Sequence, residues 1–195
     1  IHVELDTNTK LFCGCKRKGE ENEEPNTRVC PVCLGHPGSK PVINKKAISH
    51  ALKLALATNS EIDSELIFSR KSYFYPDLAK NFQISQFERP LAQKGGIQLS
   101  EEKTINLTRI HMEEDPASLI HPGGMGKYVL IDYNRSGDPL VEIVTEPEIE
   151  SPSEARDFMK QLITLLKYLK IFDIQTCVIK ADANISIRES GYTRA

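Results

Sequence analysis

No stretch of this sequence reaches the roughly 18 consecutive apolar residues that a membrane-spanning helix needs, which excludes such a span. No charged leader followed by an apolar segment and a small-residue cleavage site is present either, so the expected location is cytoplasmic. Charge of one sign is also scarce. The formal net charge is −2, so no global basic field attracts nucleic acid, and any such contact is local or supplied by a partner. The familiar nucleotide signatures are missing: there is no P-loop, no GxGxxG, no protein-kinase set and no serine-nucleophile elbow. Disorder is excluded in turn, because 39% hydrophobic against 27% charged residues supplies a real core. A chain of 195 residues fits one large domain or two small ones. It begins at Ile1 inside an alternating pattern and ends just after another. The expectation is therefore a fragment of a longer protein.

Cysteine is the first informative presence. Cys13 and Cys15 form a C-x-C pair, Cys30 and Cys33 a C-x-x-C pair followed by Leu34-Gly35, and Cys177 stands alone in an apolar segment. Inside a cell, two closely spaced pairs read as zinc ligands rather than disulfides, and four thiolates make a closed tetrahedral site. The competing reading is four thiols in a metal-free loop. Residues 7–40 are rich in Gly, Pro, Asn and Lys, carry the acidic run Glu20–Glu24 and lack periodicity, so their order is expected to need that staple. Cys177 reads as a small buried hydrophobe.

The remaining chain alternates strands and helices. Ile1, Val3 and Leu5 share one face of a strand, with His2, Glu4 and Asp6 on the other. Asn44 caps a helix predicted over 45–58, with Ile48, Ala51, Leu52, Ala55 and Leu56 as its apolar stripe. Ser151, with Pro152 at the first position and Glu154 placed for a capping box, opens a second helix through Leu169. Strands are predicted at 104–115, 128–133 and 140–146. Gly95-Gly96 reads as a short turn and residues 134–139 as another. Apolar residues of the 104–115 strand change phase near Thr108, which predicts a bulge. The segment 178–188 shows the most regular alternation. Ile179, Ala181, Ala183, Ile185 and Ile187 are expected to pack on helices, leaving Lys180, Asp182, Asn184, Ser186 and Arg188 in front. The sum is an α+β fold: a mostly antiparallel sheet forming a cradle, helices packed on one face, and a zinc-stapled N-terminal loop region.

Chemistry concentrates on the polar strand faces. In Arg109-Ile110-His111-Met112-Glu113-Glu114-Asp115, an extended backbone puts Arg109, His111, Glu113 and Asp115 on one side. Taken alone, this run also reads as a solvated strand end. Repetition of the pattern at His2, Glu142, Asp182 and Lys180 favours one concave surface holding a divalent cation and the phosphates it carries, with Arg135 nearby. The stretch Lys71–Lys80, continuing through Gln83 and Ser85, brings Tyr73 and Tyr75 to an extended segment before Pro76. It suits a nucleotide or an aminoacyl ester, or it simply packs down a long loop. The glycines at 123, 124 and 126 suit an anion, or a plain hairpin loop.

Eight segments carry a resemblance: Leu11-Phe-Cys-Gly-Cys15, Asn26-Thr-Arg-Val-Cys-Pro-Val-Cys-Leu-Gly35, Tyr73-Phe-Tyr-Pro-Asp-Leu78, Gln83-Ile-Ser-Gln86, His111-Met-Glu-Glu-Asp115, Asp132-Tyr-Asn-Arg-Ser-Gly137, Glu142-Ile-Val-Thr-Glu-Pro147 and Asp182-Ala-Asn-Ile-Ser186. In order and together they resemble the B subunit family of aspartyl/glutamyl-tRNA amidotransferases. The archaeal E subunit of the two-subunit glutamyl-tRNA enzyme shares these motifs and stays a rival. The resemblance implies that residues 1–195 form an N-terminal catalytic cradle domain with a zinc-binding insertion at about 11–36. It implies ATP- and Mg²⁺-dependent phosphorylation of the side-chain carboxylate of Glu-tRNA(Gln) or Asp-tRNA(Asn). Ammonia then comes from a partner amidase (A) subunit, within a complex that includes a small C subunit.

Carried over residue by residue, Glu113, Glu142 and Asp182 are catalytic, and His2, Glu113 and Glu142 hold magnesium. Tyr73, Tyr75, Lys80, Gln83, Ser85, Arg135 and Ser136 are candidates to bind ATP or the aminoacyl group, and Lys180, read from its strand face rather than from the resemblance, joins them as a phosphate binder. Cys13, Cys15, Cys30 and Cys33 hold zinc. The chain departs from the family in three places. It lacks the Glu that precedes the Ile-His pair, and Ile174–Val178 replace a Met-Glu-Glu-Gly stretch, which suggests an archaeal-type or divergent member. The C-terminal helical and tail domains are also missing. A reading of another class is a non-catalytic, zinc-stapled RNA-binding module, which needs the cysteines and aromatics but not the acids.

Overall fold

The computed structural model describes residues 1–123 and 128–187. Gly124 and Gly126 of the glycine-rich loop, and Arg188 at the end of the last alternating segment, lie outside the described residues. In chain order the elements are β1 (His2–Glu4), α1 (Lys45–Ala57), β2 (Glu61–Ile62), β3 (Ser69–Ser72), β4 (Phe82–Ser85) and β5 (Ala92–Gln98). They continue with β6 (Thr104–Glu114), β7 (Ser118–Ile120), β8 (Leu130–Asp132), β9 (Pro139–Thr145), α2 (Pro152–Tyr168) and β10 (Ile179–Lys180). Six strands form one sheet in the order β10-β1-β9-β6-β5-β2, with every neighbouring pair antiparallel. β3-β4 and β7-β8 are separate two-stranded pairs. The α+β class and the antiparallel sheet are as expected.

Both helices start where their caps place them. The Asn44 side chain accepts hydrogen bonds from the amides of Lys46 and Ala47, and Ser151 accepts one from Glu154. The Glu154 carboxylate reaches back to the Glu150 amide at 2.8 Å, one residue before the cap, so the capping box is displaced by one position. Ala51, Leu54 and Ala55 of α1 and Phe158, Leu162 and Leu166 of α2 are buried in one core with Val3, Ile110, Met112, Val141 and Ile143 of the sheet. Each large aliphatic or aromatic side chain there contributes roughly 1.5–3 kcal/mol by leaving water.

The phase change near Thr108 is real and explains the two-faced sheet. The β6–β9 register shifts between Leu107 and Arg109. Ile105 and Leu107 before the bulge, and Ile110 and Met112 after it, therefore all enter the core. After the bulge the alternate positions 109, 111 and 113 turn to the opposite, polar face.

Two expectations are corrected. Gly95-Gly96 is not a turn: both residues lie inside β5, opposite Leu107 and Asn106 of β6. Gly95 is there because the chain leaving α1 crosses it, while a Cβ on Gly96 would sit 2.8 Å from Thr104 Cγ2 of β6. A Cβ on Gly95 would sit 2.0 Å from Ser60 Oγ and 3.0 Å from the Thr58 carbonyl, and the Gly96 amide donates to that same carbonyl at 2.9 Å. Gly95→Ala is expected to cost about 1–3 kcal/mol by overpacking, read as a lower denaturation midpoint.

The second correction concerns 178–188. Among the described residues of this segment only Ile179 and Lys180 are strand, and Ile185 and Ile187 are 88% and 91% exposed rather than packed on helices. β10 pairs with β1 in the register Val3↔Ile179 and His2↔Lys180. Residues 181–187 therefore run past Ile1, with no described strand beside them, and the alternation has nothing to lie against.

Candidate functional site

Register builds the site. His2 of β1, Glu142 of β9 and His111 of β6 are aligned across three adjacent strands. All three project from the polar face, and Glu113 follows two residues after His111 on the same side. His2 Nε2 lies 3.3 Å from Glu113 Oε1 and 3.8 Å from Glu142 Oε1. His111 Nε2 lies 2.8 Å from Glu142 Oε2 and 3.8 Å from Glu113 Oε2. His2, Glu113 and Glu142 each offer one donor atom, all within 4.8 Å of one another.

The electrostatics match a cation site. The His111 hydrogen bond, acting against burial, holds the Glu142 carboxyl down at about 2. Burial pulls His111 toward neutrality, yet its bonds to Glu113 and Glu142 prevail and raise its pKa. The two crowded carboxylates thus favour the protonated form of His111. A divalent cation among His2, Glu113 and Glu142 fits the same need, since two ionised oxygen donors and one imidazole form a workable hard-cation set. In the sequence, His111 reads as one ligand type among several. In the fold it is the hydrogen-bond donor that keeps Glu142 ionised. Asp182 comes close enough for its charge to act on the Ile1 amino nitrogen, as do those of Glu142 and Glu113.

Further along the same face lie three buried acids, Glu4, Asp115 and Asp138. Asp115 Oδ2 is 3.3 Å from Arg135 Nε, and that guanidinium also donates to the carbonyls of Pro116 and Ala117. Burial pushes the Asp115 carboxyl up to about 7, against Arg135 and Lys180, with Glu4 adding to the rise. The alternation of β1 puts Glu4 on the polar face without singling it out. Asp138 escapes sequence reasoning altogether, because it sits in a turn without a periodic signal.

An acid raised in the fold lowers stability once it ionises, so this contribution falls as pH climbs from the ordinary range near 3.8 toward about 7. Asn cannot ionise. The melting temperature of Asp115→Asn relative to the parent is therefore expected to improve by about 5 °C between pH 5 and pH 8. An unchanged difference across that range contradicts the shift.

The aromatic segment divides in two. Burial raises the Tyr73 hydroxyl pKa, helped by the charges of Asp77, Glu113 and Asp115, which places Tyr73 beside the cluster. Tyr75 is exposed, and Ser85 and Ser136 are buried. Lys180, at the sheet edge, is opposite His2.

Lys80 turns elsewhere: its ammonium bonds both Glu114 oxygens at 2.6 and 2.5 Å. The Ile84 amide donates to the same carboxylate at 3.2 Å, and Gln83 Nε2 donates to the Glu114 carbonyl at 2.6 Å. Gln86 Oε1 accepts from the Met112 amide. Lys80, Gln83 and Gln86 thus clamp the strand end that presents Glu113. Lys80→Met leaves the buried Glu114 carboxylate without its counter-charge, and a loss of about 3–5 kcal/mol is expected from denaturant unfolding. A loss under about 1 kcal/mol would show that the pair is a surface pair in effect.

The four cysteines Cys13, Cys15, Cys30 and Cys33 also converge, with their sulfurs within 4.8 Å. The Cys33 thiol is drawn down to about 4, first by a hydrogen bond from Cys13, then by the Cys30 amide and the Lys10 ammonium. Burial and the Cys30 side chain push Cys15 up to about 11. Four sulfurs, one already favouring the thiolate, fit a tetrahedral zinc. Cys177 is apart from them and buried, as expected.

Among the described residues no helix is long and apolar enough to cross a membrane. Comparison with known proteins gives concordant relatives. The chain is 51% identical over 195 residues to the B subunit of the aspartyl/glutamyl-tRNA(Asn/Gln) amidotransferase of Methanoregula boonei, covering 96% of this chain and 40% of that protein. The B subunit of the same name from Natronomonas pharaonis is 47% identical over 197 residues, covering 97% and 40%. The one from Carboxydothermus hydrogenoformans is 48% identical over 198 residues, covering 98% and 41%. The chain thus spans about two fifths of the length of these curated relatives. A family model described as the GatB/GatE catalytic domain matches residues 1–195, and the chain belongs to that family.

Proposed function

We propose that this chain is the catalytic part of the B subunit of a tRNA-dependent amidotransferase, a ligase of protein biosynthesis. The reaction takes ATP and misacylated Glu-tRNA(Gln) or Asp-tRNA(Asn). The side-chain carboxylate oxygen attacks the γ-phosphorus, ADP leaves, and an acyl phosphate forms. Ammonia from a partner amidase subunit then attacks the acyl carbon, phosphate leaves, and a proton is lost to give Gln- or Asn-tRNA. The carrying observation is the convergence of His2, Glu113 and Glu142 from three strands on one face. Phosphoryl transfer of this kind needs placed charge and no protein nucleophile, which agrees with the absence of nucleophile motifs.

His2, Glu113 and Glu142 would hold the magnesium, which when bound would supply positive charge to the transferring phosphate. Glu142 stays ionised through His111, and Asp182 adds a carboxylate at the rim. Tyr73, Tyr75, Ser85, Arg135, Ser136 and Lys180 are assigned to the ATP and aminoacyl groups. Lys80 and Gln83 contribute by holding the strand end through Glu114. The four cysteines carry a structural zinc within the 11–36 insertion. The A and C subunits and the tRNA are the expected partners.

The names of the relatives favour the B subunit over the archaeal E subunit. A non-catalytic RNA module does not explain a buried His/Glu cluster, because such groups cost free energy unless a ligand or partner uses them. The test is to assemble the full-length protein with its partner amidase. ADP should form only with misacylated tRNA present, and one for each Gln- or Asn-tRNA made. Amidation without ADP overturns the proposal.

A further inference from the structure

Lys10 is the largest fully buried side chain of the described residues, with 0% exposure. Its ammonium donates to the carbonyls of Arg28 at 2.8 Å and Tyr133 at 3.4 Å and lies 3.9 Å from Cys33 Sγ. Two carbonyl dipoles do not neutralise a buried cation, and an unpaired buried charge is expensive. The carboxyl whose titration it influences is that of Asp138, which burial drives strongly toward the neutral form. Among the described side chains, the one its ammonium contacts directly is the Cys33 sulfur.

Around Lys10, the cysteine region is locked to the turn at residues 133–138. The Leu11 amide donates to the Gly137 carbonyl at 2.8 Å, and the Arg28 amide donates to Asn134 Oδ1 at 2.7 Å. At Gly137, φ +90, a Cβ would meet Cys33 Cβ and Lys10 Cδ at 3.6 Å and Glu114 Oε1 at 3.7 Å. That turn carries Arg135, which is fixed on Asp115, two residues beyond Glu113.

We propose that Lys10 is the built-in counter-charge of a zinc centre at Cys13, Cys15, Cys30 and Cys33, and the link by which that centre positions the 133–138 turn. The inference rests on the zinc reading above. Zinc with four thiolates carries a net negative charge, and one ammonium beside Cys33 offsets part of it. Lys10 is thus a positioning residue acting through the sulfur and through the Tyr133 carbonyl.

The experiment uses the full-length protein in its complex, as parent, Lys10→Met and Lys10→Gln. Gln keeps a donor for the two carbonyls but removes the charge. Zinc affinity is measured by competition with a chromophoric chelator. The thiolate-to-metal charge-transfer band is recorded after exchange of zinc for Co²⁺. Both variants should bind zinc about 10–100-fold more weakly. Their cobalt bands should also move to lower energy, because the sulfur electrons lose a nearby positive charge. Unchanged affinity with an unmoved band overturns the proposal while leaving the zinc reading intact. So does parent-like behaviour of Lys10→Gln alone, which would reduce Lys10 to a hydrogen-bond donor. A parent chain that binds no zinc overturns the zinc reading and this inference with it.

Discussion

Glu113→Ala and Glu142→Ala are each expected to lower tRNA-dependent ADP formation by the full-length complex at least about 100-fold, the scale of losing one preorganised charge at a transition state. The two carboxylates come from different strands, and both lie within 4 Å of the same two imidazoles. Removing either leaves a two-donor site and an imidazole without its partner. Stability should change little. Deleting either carboxylate loses an imidazole contact but relieves repulsion with the other carboxylate, and the two effects offset to within a few degrees. The outcome that counts is the combination: turnover gone, melting temperature within a few degrees of the parent. Unchanged turnover in both variants defeats the enzymatic reading. Lost turnover with collapse of the fold would make the two acids structural.

Chelation is expected to give the second large effect, this time on stability. Among the described residues, 7–40 contain one isolated bridge, Thr9↔Lys16, and no other regular element. Their order rests on the cysteine cluster, on Arg28, whose guanidinium holds Glu23 and the carbonyls of Lys16 and Arg17, and on Lys10. A structural zinc in small domains contributes about 10–16 kcal/mol, comparable with the whole stability of a domain. Stripping the metal, or substituting Cys33→Ser, should therefore lower the melting temperature by more than about 10 °C and open the acidic run 20–24 to protease. The acid cluster is on other strands, so the core sheet should keep its far-ultraviolet spectrum. If a chelator changes neither melting nor cleavage, and no zinc accompanies the purified protein, the cysteines are bare thiols in a loop stable without metal.

Local chemistry is readable in the chain, and long-range packing is not. Asn44, Ser151 and Pro152 announce helices because capping depends on neighbours within one turn. The Thr108 bulge is visible because it moves apolar residues from one phase to the other, and that shift is written in the chain itself. Gly95-Gly96 misleads because a glycine required by close approach of another segment looks the same as one required by a turn. The 178–188 alternation misleads for a related reason: period two states that a segment can be a strand, while the strand itself requires a neighbour. In the site, His2, Glu113 and Glu142 can be gathered because each stands on a polar strand face. The commitment of Lys80 to Glu114, and of Lys10 to Cys33, depends on loops folding back over 34 and 23 residues. No periodicity reports such contacts.

The central claim is that His2, Glu113 and Glu142 form one divalent-cation site. Mn²⁺, titrated into the metal-stripped full-length protein and followed by electron paramagnetic resonance, tests it without tRNA, ammonia or turnover. The parent should take up Mn²⁺ at a saturable site that tightens when ATP is added, and the Glu113→Ala/Glu142→Ala double variant should lose that site. Uptake of equal stoichiometry and affinity in the double variant would contradict the account.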